Sequence, residues 1–171
     1  RAVTIQWHDG EAQDGIHGHI YTDGACVPHK IPELSRAAAG VVVLNDEGRQ
    51  VVTLSAPVPR NLPQTAPSAE FYAAQLACRK LTARSTIHTD CLNVYKATTA
   101  LPQINTKSPY VGAVLDISRG RGAIHVSWEK AKAHLDPTEQ DISNTERHWR
   151  LGNDFADKAA NEAISQHQIP N

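Results

Sequence analysis

IHGHIYTD, residues 16 to 23, is the stretch of sequence that decides the fold. Every second residue from His17 to Asp23 falls on one face, which is the period-2 pattern of a β-strand, and Asp23 stands at the strand's C-terminal end. STIHTD, residues 85 to 90, predicts a second strand that also ends in an aspartate, Asp90. If these strands are parallel neighbours, their carboxyl ends bring both aspartates to one sheet edge, the usual ligand site of α/β folds.

The segments between these strands predict a hairpin and a long helix. The β-branched runs AAGVVVLN (38–45) and RQVVTLSA (49–56) are separated by the turn sequence DEG. Thr65 is a candidate helix N-cap, and Pro67 suits the first turn. On this helix Glu70 shares a face with alanines at helical spacing, so we expect its carboxylate to face inward. A buried charge needs a partner.

The rest of the chain predicts five segments in order. They are a short helix at 92–99, a second helix YVGAVLDIS (110–118), a strand AIHVSWEKA (123–131), a loop or tether without periodicity KAHLDPTEQDISNTERHWR (132–150), and a last helix GNDFADKAANEAIS (152–165). This division places Asp154 and Asp157 in the first turn of the last helix. Helices that cross the sheet edge could add Glu70 and Asp157 to the two strand-end aspartates. Clustered carboxylates repel unless cations neutralise them, and hard divalent ions prefer such oxygen ligands.

Composition excludes several classes of protein. Hydrophobic residues make up 40% of the 171 residues and charged residues 20%, and no apolar run is long enough to span a membrane. The N-terminus lacks the features of a signal peptide, and the three cysteines form no CxxC pair, so we expect reduced thiols and an intracellular location. The absence of methionine indicates a piece of a longer polypeptide.

Four motifs in order resemble the type 1 ribonuclease H family, especially the domain that the reverse transcriptases of retroelements and retroviruses carry. They are YTDGAC (21–26), QTAPSAEFYAAQLA (64–77), IHTDCLNVYKA (87–97) and GNDFADKAA (152–160). The resemblance covers about residues 16 to 165. It implies an α/β fold of the ribonuclease H type, with a mixed five-stranded sheet, three antiparallel strands followed by two parallel, flanked by helices. We predict the domain at 15–166, an N-terminal extension or linker remnant at 1–14, and a frayed tail at 167–171.

The resemblance also implies an activity and its residues. The family hydrolyses the RNA strand of RNA/DNA hybrids with two Mg²⁺ or Mn²⁺ ions and leaves a 5′-phosphate and a 3′-hydroxyl. Asp23, Glu70, Asp90 and Asp157 match its metal ligands, whereas Asp154 matches the glutamate of the family's GNE pattern. In the family the first aspartate bridges the two ions and the last supports the ion that carries the attacking water.

A catalytic histidine is expected in the loop before the last helix. His134 is the preferred candidate, because it follows the predicted strand directly as the family's histidine does, and His148 is the alternative. For substrate contacts the candidates are Gly24, Ala25, Gln64 and Asn153.

Recognition of the hybrid departs from the family pattern. Ala66 and Pro67 stand where the family commonly has the Asn or Gln that contacts the 2′-hydroxyls, and the segment at 100–110 holds no basic protrusion. The net charge is −1, although nucleic-acid binding usually needs a basic face. We therefore expect a covalently linked or associated polymerase domain to share the binding of the RNA/DNA hybrid.

Two alternatives stay open at this point. One is a non-catalytic module that keeps the fold for docking or nucleic-acid binding, which the retention of four carboxylates disfavours. The other is a DNA nuclease of the same superfold, such as an integrase or a junction resolvase, and the TDG and GNDFADKAA motifs favour ribonuclease H over it.

Overall fold

The computed structural model describes residues 3–99, 110, 112–113, 116, 126–130 and 135–167. Within them lie six strands of one sheet: β1 Thr4–Trp7, β2 Ile16–Val27, β3 Arg36–Leu44, β4 Gln50–Pro57, β5 Leu81–Thr89 and β6 Val126–Lys130. A one-turn 3₁₀ helix, Pro32–Leu34, precedes β3. The order across the sheet is β1-β4-β3-β2-β5-β6.

The predicted mixed sheet is confirmed. Strands β2, β3 and β4 pair antiparallel, whereas β5 pairs parallel to β2 and β6 parallel to β5. The structure adds a sixth strand, because β1 pairs antiparallel with β4 at the outer edge. This strand lies in the segment for which the sequence predicted an extension or linker remnant.

Among the described residues, the sheet is flanked by the helices α1 Ala66–Lys80, α2 Leu92–Thr99 and α3 Asn144–Ile164. Residues 112–113 and 116 are also helical. Helix α1 begins as predicted, because the Thr65 side chain accepts a hydrogen bond from the backbone N–H of Ser68 at 3.3 Å. Its apolar face packs on one side of the sheet in the main core, which includes Ile20, Val41 and Phe71. On the opposite side of the sheet, α3 packs through Ala156 against Tyr21 and Val42. Most of the helix predicted at 110–118 lies outside the described residues.

The start of the last helix was predicted wrongly. Helix α3 begins at Asn144, not at Gly152, so it includes part of the segment predicted as a loop. Ser143 caps it by accepting a hydrogen bond from the N–H of Glu146 at 3.0 Å. The sequence S-N-T-E at 143–146 is a capping box, which is the signal that marks this start.

The other end of α3 brings His167 against the sheet. His167, assigned to the frayed residues, is only 9% exposed, and its Nε2 donates a hydrogen bond of 2.6 Å to the carbonyl of Ala37 in β3. His167 is therefore held against β3, while the rest of the predicted tail, residues 168–171, lies outside the described residues. Among the described residues, none of the helices has the length and apolar character needed to cross a membrane.

Candidate metal centre

Asp23 lies past the region in which β2 pairs with β5, because β2 is the longer strand. The parallel pairing of these strands ends at Tyr21 and His88, so Asp23 lies beyond the paired region, and Asp90 follows directly after β5. Asp23 is only 3% exposed, and its Oδ1 accepts a hydrogen bond of 2.9 Å from the N–H of Gly24. Both aspartates therefore lie at the carboxyl ends of neighbouring parallel strands, as the sequence predicted.

Glu70 reaches the same place from helix α1, because a glycine lets the helix approach the strand. A Cβ atom at Gly24 would lie 2.7 Å from both the backbone nitrogen of Glu70 and the Cβ of Ala69. No side chain fits at that separation, so Gly24 allows the second turn of α1 to pack directly on β2. The inward orientation of Glu70 is thus fixed by backbone packing beside Asp23.

Asp23, Glu70 and Asp90 form the cluster we call the carboxylate cluster. One carboxylate oxygen from each lies within 4.8 Å of the others. Asp23 Oδ2 and Glu70 Oε2 are buried without a hydrogen-bond donor. Burial raises the pKa of Asp23, and the charge of Asp90 adds to this effect. Burial likewise raises the pKa of Glu70, followed by the charges of Asp23 and Asp90.

This arrangement fits a hard divalent cation. The converging ligand atoms are all carboxylate oxygens, which Mg²⁺ and Mn²⁺ prefer, whereas no thiolate or imidazole belongs to the group. Two orphaned, buried oxygens are costly unless a cation or protons neutralise them. Among the described residues no other group of three such side chains has this geometry.

Asp157 lies near the carboxylate cluster but outside its 4.8 Å group. Its charge contributes to the raised pKa of Asp23, and its side chain is half-buried, whereas Asp154 is exposed. Asn161 orients it by donating to its Oδ1 at 3.1 Å. Asp157 is in the middle of α3 rather than in a first turn, and its assignment as a metal ligand stays a prediction.

A second close approach brings α3 to the site, and nothing in the sequence signalled it. Gly40 is the register partner of Asp23 in the β2–β3 ladder. A Cβ atom there would lie 2.2 Å from the carbonyl oxygen of Ala156 and 2.6 Å from the nitrogen of Ala160. The helix backbone therefore rests on β3 beside Asp23, which places the turn that carries Asp157.

The structure describes only one of the two candidate histidines. His134 lies outside the described residues, so its placement in the loop stays a prediction. His148 lies in α3, and both of its ring nitrogens have partners: Nε2 donates to the carbonyl of Asn45 at 2.8 Å, and Nδ1 accepts from the hydroxyl of Tyr21 at 2.5 Å. His148 therefore ties the helix to the sheet and to the β3–β4 turn, and this arrangement does not favour proton transfer to a substrate.

The predicted substrate residues also differ in what they can contact. The amide of Gln64 is fully engaged within the chain, since Oε1 accepts from the N–H of Ala37 at 2.9 Å and Nε2 donates to three carbonyls between residues 58 and 62. It holds the loop before α1, and the structure does not favour a substrate contact by this amide. Asn153 is 3% exposed and lies one turn before Asp157. Gly24 and Ala25 lie in β2 immediately after Asp23.

The fold and the carboxylate cluster together define an α/β protein whose mixed sheet carries a candidate divalent-cation site at the carboxyl ends of its parallel strands. The family model for RNase H matches residues 17–165. The chain therefore belongs to the ribonuclease H family.

Solved structures agree with this assignment at the level of the fold. The RNase H domain of PFV is 23% identical with a TM-score of 0.63, and the match covers 88% of this chain and 95% of that one. The Prototype Foamy Virus protease-reverse transcriptase is 23% identical with a TM-score of 0.62, covering 94% of this chain and 22% of that one. RNase H1 from the halophilic archaeon Halobacterium salinarum NRC-1 is 20% identical with a TM-score of 0.60, covering 87% and 98%. No curated protein matches the chain.

Proposed function

We propose that this chain is a ribonuclease H enzyme that hydrolyses the RNA strand of RNA/DNA hybrids with two Mg²⁺ or Mn²⁺ ions. The observation that carries the proposal is the carboxylate cluster, in which each of the three side chains brings one carboxylate oxygen within 4.8 Å of the others. Asp23 and Glu70 of this cluster each have a buried carboxylate oxygen without a hydrogen-bond donor. Membership of the ribonuclease H family supports the reaction class. The expected products carry a 5′-phosphate and a 3′-hydroxyl.

In this proposal the chain's own residues hold and orient the reacting groups. Asp23, Glu70 and Asp90 would hold the ions, and Asp157 would complete the site from α3. The ions would polarise the phosphate and activate water. The burial of Asp23 limits access of bulk water to the inner side of the cluster. His134 would assist proton transfer or product release, while Asn153 and the backbone of Gly24 and Ala25 would contact the substrate.

The proposed partner is a polymerase domain linked to or associated with this chain. A foamy viral protease-reverse transcriptase has been solved in complex with an RNA/DNA hybrid, and it matches this chain with 20% identity and a TM-score of 0.61. The net charge of −1 supports shared binding, because a domain without excess positive charge gains little affinity from phosphate neutralisation. An intracellular location follows from the unpaired cysteines and stays a prediction.

The test is cleavage of end-labelled RNA in a hybrid by the purified protein, in Mg²⁺ and in Mn²⁺. Asp90→Asn should abolish cutting while the fold is retained by circular dichroism. Asp157→Asn should reduce cutting strongly, whereas Asp154→Asn, on the exposed side of the same helix, is the matched control and should not. Full activity of Asp90→Asn would contradict the site assignment.

The same assay separates the alternatives. Duplex DNA and a four-way junction are offered beside the hybrid, with the enzyme in excess and with the polymerase partner where one is known. Cutting of DNA but not of the hybrid would favour a DNA nuclease. Binding of the hybrid with every substrate intact in Mn²⁺ would favour the non-catalytic module.

A further inference from the structure

A stacked pair of rings, which we call the ring pair, precedes the two strand-end aspartates. Tyr21 of β2 and His88 of β5 are the last register partners of the parallel pair, and their ring centroids are 4.2 Å apart with an interplanar angle of 10°. Both residues are buried, with exposures of 1% and 3%. Asp23 and Asp90 each follow two residues later, which is about 7 Å further along the strand direction.

The ring pair fills the space between the two strands on one face of the sheet. Side chains alternate along a strand, so Tyr21 and Asp23 lie on the same face of β2. Neighbouring strands lie about 4.8 Å apart, and two rings in stacked contact match this spacing. The ring pair therefore resists both a closer approach and a separation of β2 and β5 at the point where their pairing ends.

Helix α3 keeps the Tyr21 ring in place. The Tyr21 hydroxyl donates a hydrogen bond of 2.5 Å to Nδ1 of His148, whose Nε2 donates to the carbonyl of Asn45 at 2.8 Å. A Cβ atom at Gly152 would lie 2.2 Å from Cδ1 and 2.3 Å from Cγ of Tyr21, so the helix backbone rests directly on the ring. His88 therefore stacks on a ring that cannot rotate or slide without breaking its contacts with α3.

The backbone pairing of β2 and β5 does not reach the aspartates. In the described part of the chain, no register pair joins the two strands beyond Tyr21 and His88. Past this pair, Thr22 Oγ1 donates to the carbonyl of His88 at 3.4 Å, which is at the long end for a hydrogen bond. Since the charges of Asp23 and Asp90 repel each other, their spacing depends on the contact that precedes them.

We propose that His88 is a positioning residue that, through its stack on Tyr21, sets the spacing of the ends of β2 and β5 and so holds Asp23 and Asp90 close enough to share a divalent cation. The part of this inference that concerns the cation rests on the proposed function. The spacing of the strand ends does not, and it can be measured without metal or substrate.

The first arm of the test is amide hydrogen exchange at the two strand ends in metal-free buffer. The N–H of Gly24 donates to Asp23 Oδ1 at 2.9 Å, and the N–H of Cys91 donates to Thr89 Oγ1 at 3.1 Å. These two amides flank the two aspartates. Their exchange rates therefore report whether each strand end keeps its local structure.

Three variants of His88 separate the ring from the imidazole. His88→Ala should raise the exchange rate of both amides at least about fivefold, because it removes one aromatic pair. His88→Leu, which keeps most of the volume but has no ring to stack, should have the same effect and serves if the alanine variant does not fold. His88→Phe keeps a ring, so both rates should stay within about twofold of the wild type.

Val52→Ala is the matched control for a general loss of stability. Val52 is 1% exposed in the main core, on β4, which β3 separates from β2. The variant should lower the free energy of unfolding in urea, because it leaves a cavity, but the exchange of Gly24 and Cys91 should stay near the wild-type rate. Unchanged exchange in His88→Ala and His88→Leu would overturn the proposal, and so would an equal rise in Val52→Ala. A folded His88→Phe variant that behaves like His88→Ala would also overturn it, because the imidazole and not the stack would then act.

The second arm is calorimetric titration of the protein with Mn²⁺, without substrate and at a temperature at which every variant is folded. His88→Ala should raise the Kd for Mn²⁺ at least about tenfold, as the loss of residues that orient metal ligands commonly does, and His88→Phe should restore binding. Val52→Ala should bind Mn²⁺ like the wild type. Wild-type affinity in His88→Ala would contradict the proposal. If the wild type binds no Mn²⁺, the proposed function is wrong, and the exchange of Gly24 and Cys91 still decides whether His88 sets the spacing.

Discussion

Replacing Gly40 by alanine should separate helix α3 from the sheet at the point where the helix passes Asp23. The added Cβ would lie 2.2 Å from the carbonyl oxygen of Ala156, 2.6 Å from the nitrogen of Ala160 and 3.1 Å from the Cβ of Ala159. The two closest atoms belong to the helix backbone, so no side-chain rotation relieves the contact. Ordinary contacts of a Cβ atom begin at 3.4 Å, so the helix must move by about 1 Å.

The expected losses of stability and of activity follow from that displacement of the helix. Overpacking a well-packed interior costs about 1–3 kcal/mol of unfolding free energy, and the lack of a flexible neighbour favours the upper part of this range. The same movement shifts Asp157 relative to the carboxylate cluster. A misplacement of about 1 Å can lower catalysis by about a hundredfold, so activity should fall far more than the folded fraction does.

The assay combines urea unfolding followed by circular dichroism with cleavage of labelled RNA in a hybrid. Gly112→Ala is the matched control, because a Cβ at this helical glycine meets nothing within 4 Å. It should leave activity unchanged and keep or slightly raise stability. Wild-type stability and wild-type cleavage in Gly40→Ala would refute the claim that this close approach places α3 at the site.

Three other outcomes are expected from the contacts described above. Asp23→Asn should raise the melting temperature in metal-free buffer, since it removes a buried charge from the carboxylate cluster. The same variant should gain less in melting temperature than the wild type when Mg²⁺ is added. Tyr21→Phe should cost about 1 kcal/mol in urea unfolding, because it removes the hydroxyl that donates to His148 Nδ1. Burial lowers the pKa of His167 below 6.5, so on acidification from pH 7 this histidine is protonated first in the unfolded chain, which lowers the free energy of unfolding. In a pH series of urea melts, His167→Gln should lose less of this free energy on acidification than the wild type does.

The sequence predicted the elements that carry the carboxylate cluster because their signals are local. Strand alternation before Asp23, the N-cap at Thr65 and the strand before Asp90 each depend on a few neighbouring residues, and all three elements are present. The prediction that Asp23 and Asp90 lie close together also required β2 and β5 to be parallel neighbours, and the α/β pattern of the sequence supplied this pairing.

What the sequence did not predict depends on distant parts of the chain or on weak local signals. Strand β1 is four residues long and is stabilised by pairing with β4 and by the packing of Trp7 against the main core, both of which depend on distant parts of the chain. The first two turns of α3 are mostly polar, because Arg147 and Arg150 bind the loop before the helix, whereas Trp149 packs against the apolar cluster around Tyr21. Without apolar periodicity only the capping box at 143–146 marked the helix start. The close approach at Gly40 has no local signal at all, since it depends on a helix that follows more than 100 residues later.

The close packing at Gly24 and Gly40 keeps the side chains of the carboxylate cluster close together. Bringing Asp23 and Glu70 together in a buried position opposes folding when no cation is bound, because both carboxyls lose hydration and repel Asp90. A flexible site would relieve this repulsion by moving the side chains apart. Gly24 and Gly40 prevent that movement, since they hold the backbones of α1 and α3 in direct contact with β2 and β3 on either side of Asp23. The close packing therefore maintains a repulsion that a bound divalent cation would relieve, so variants that bind the cation more weakly should also gain less stability when it is added.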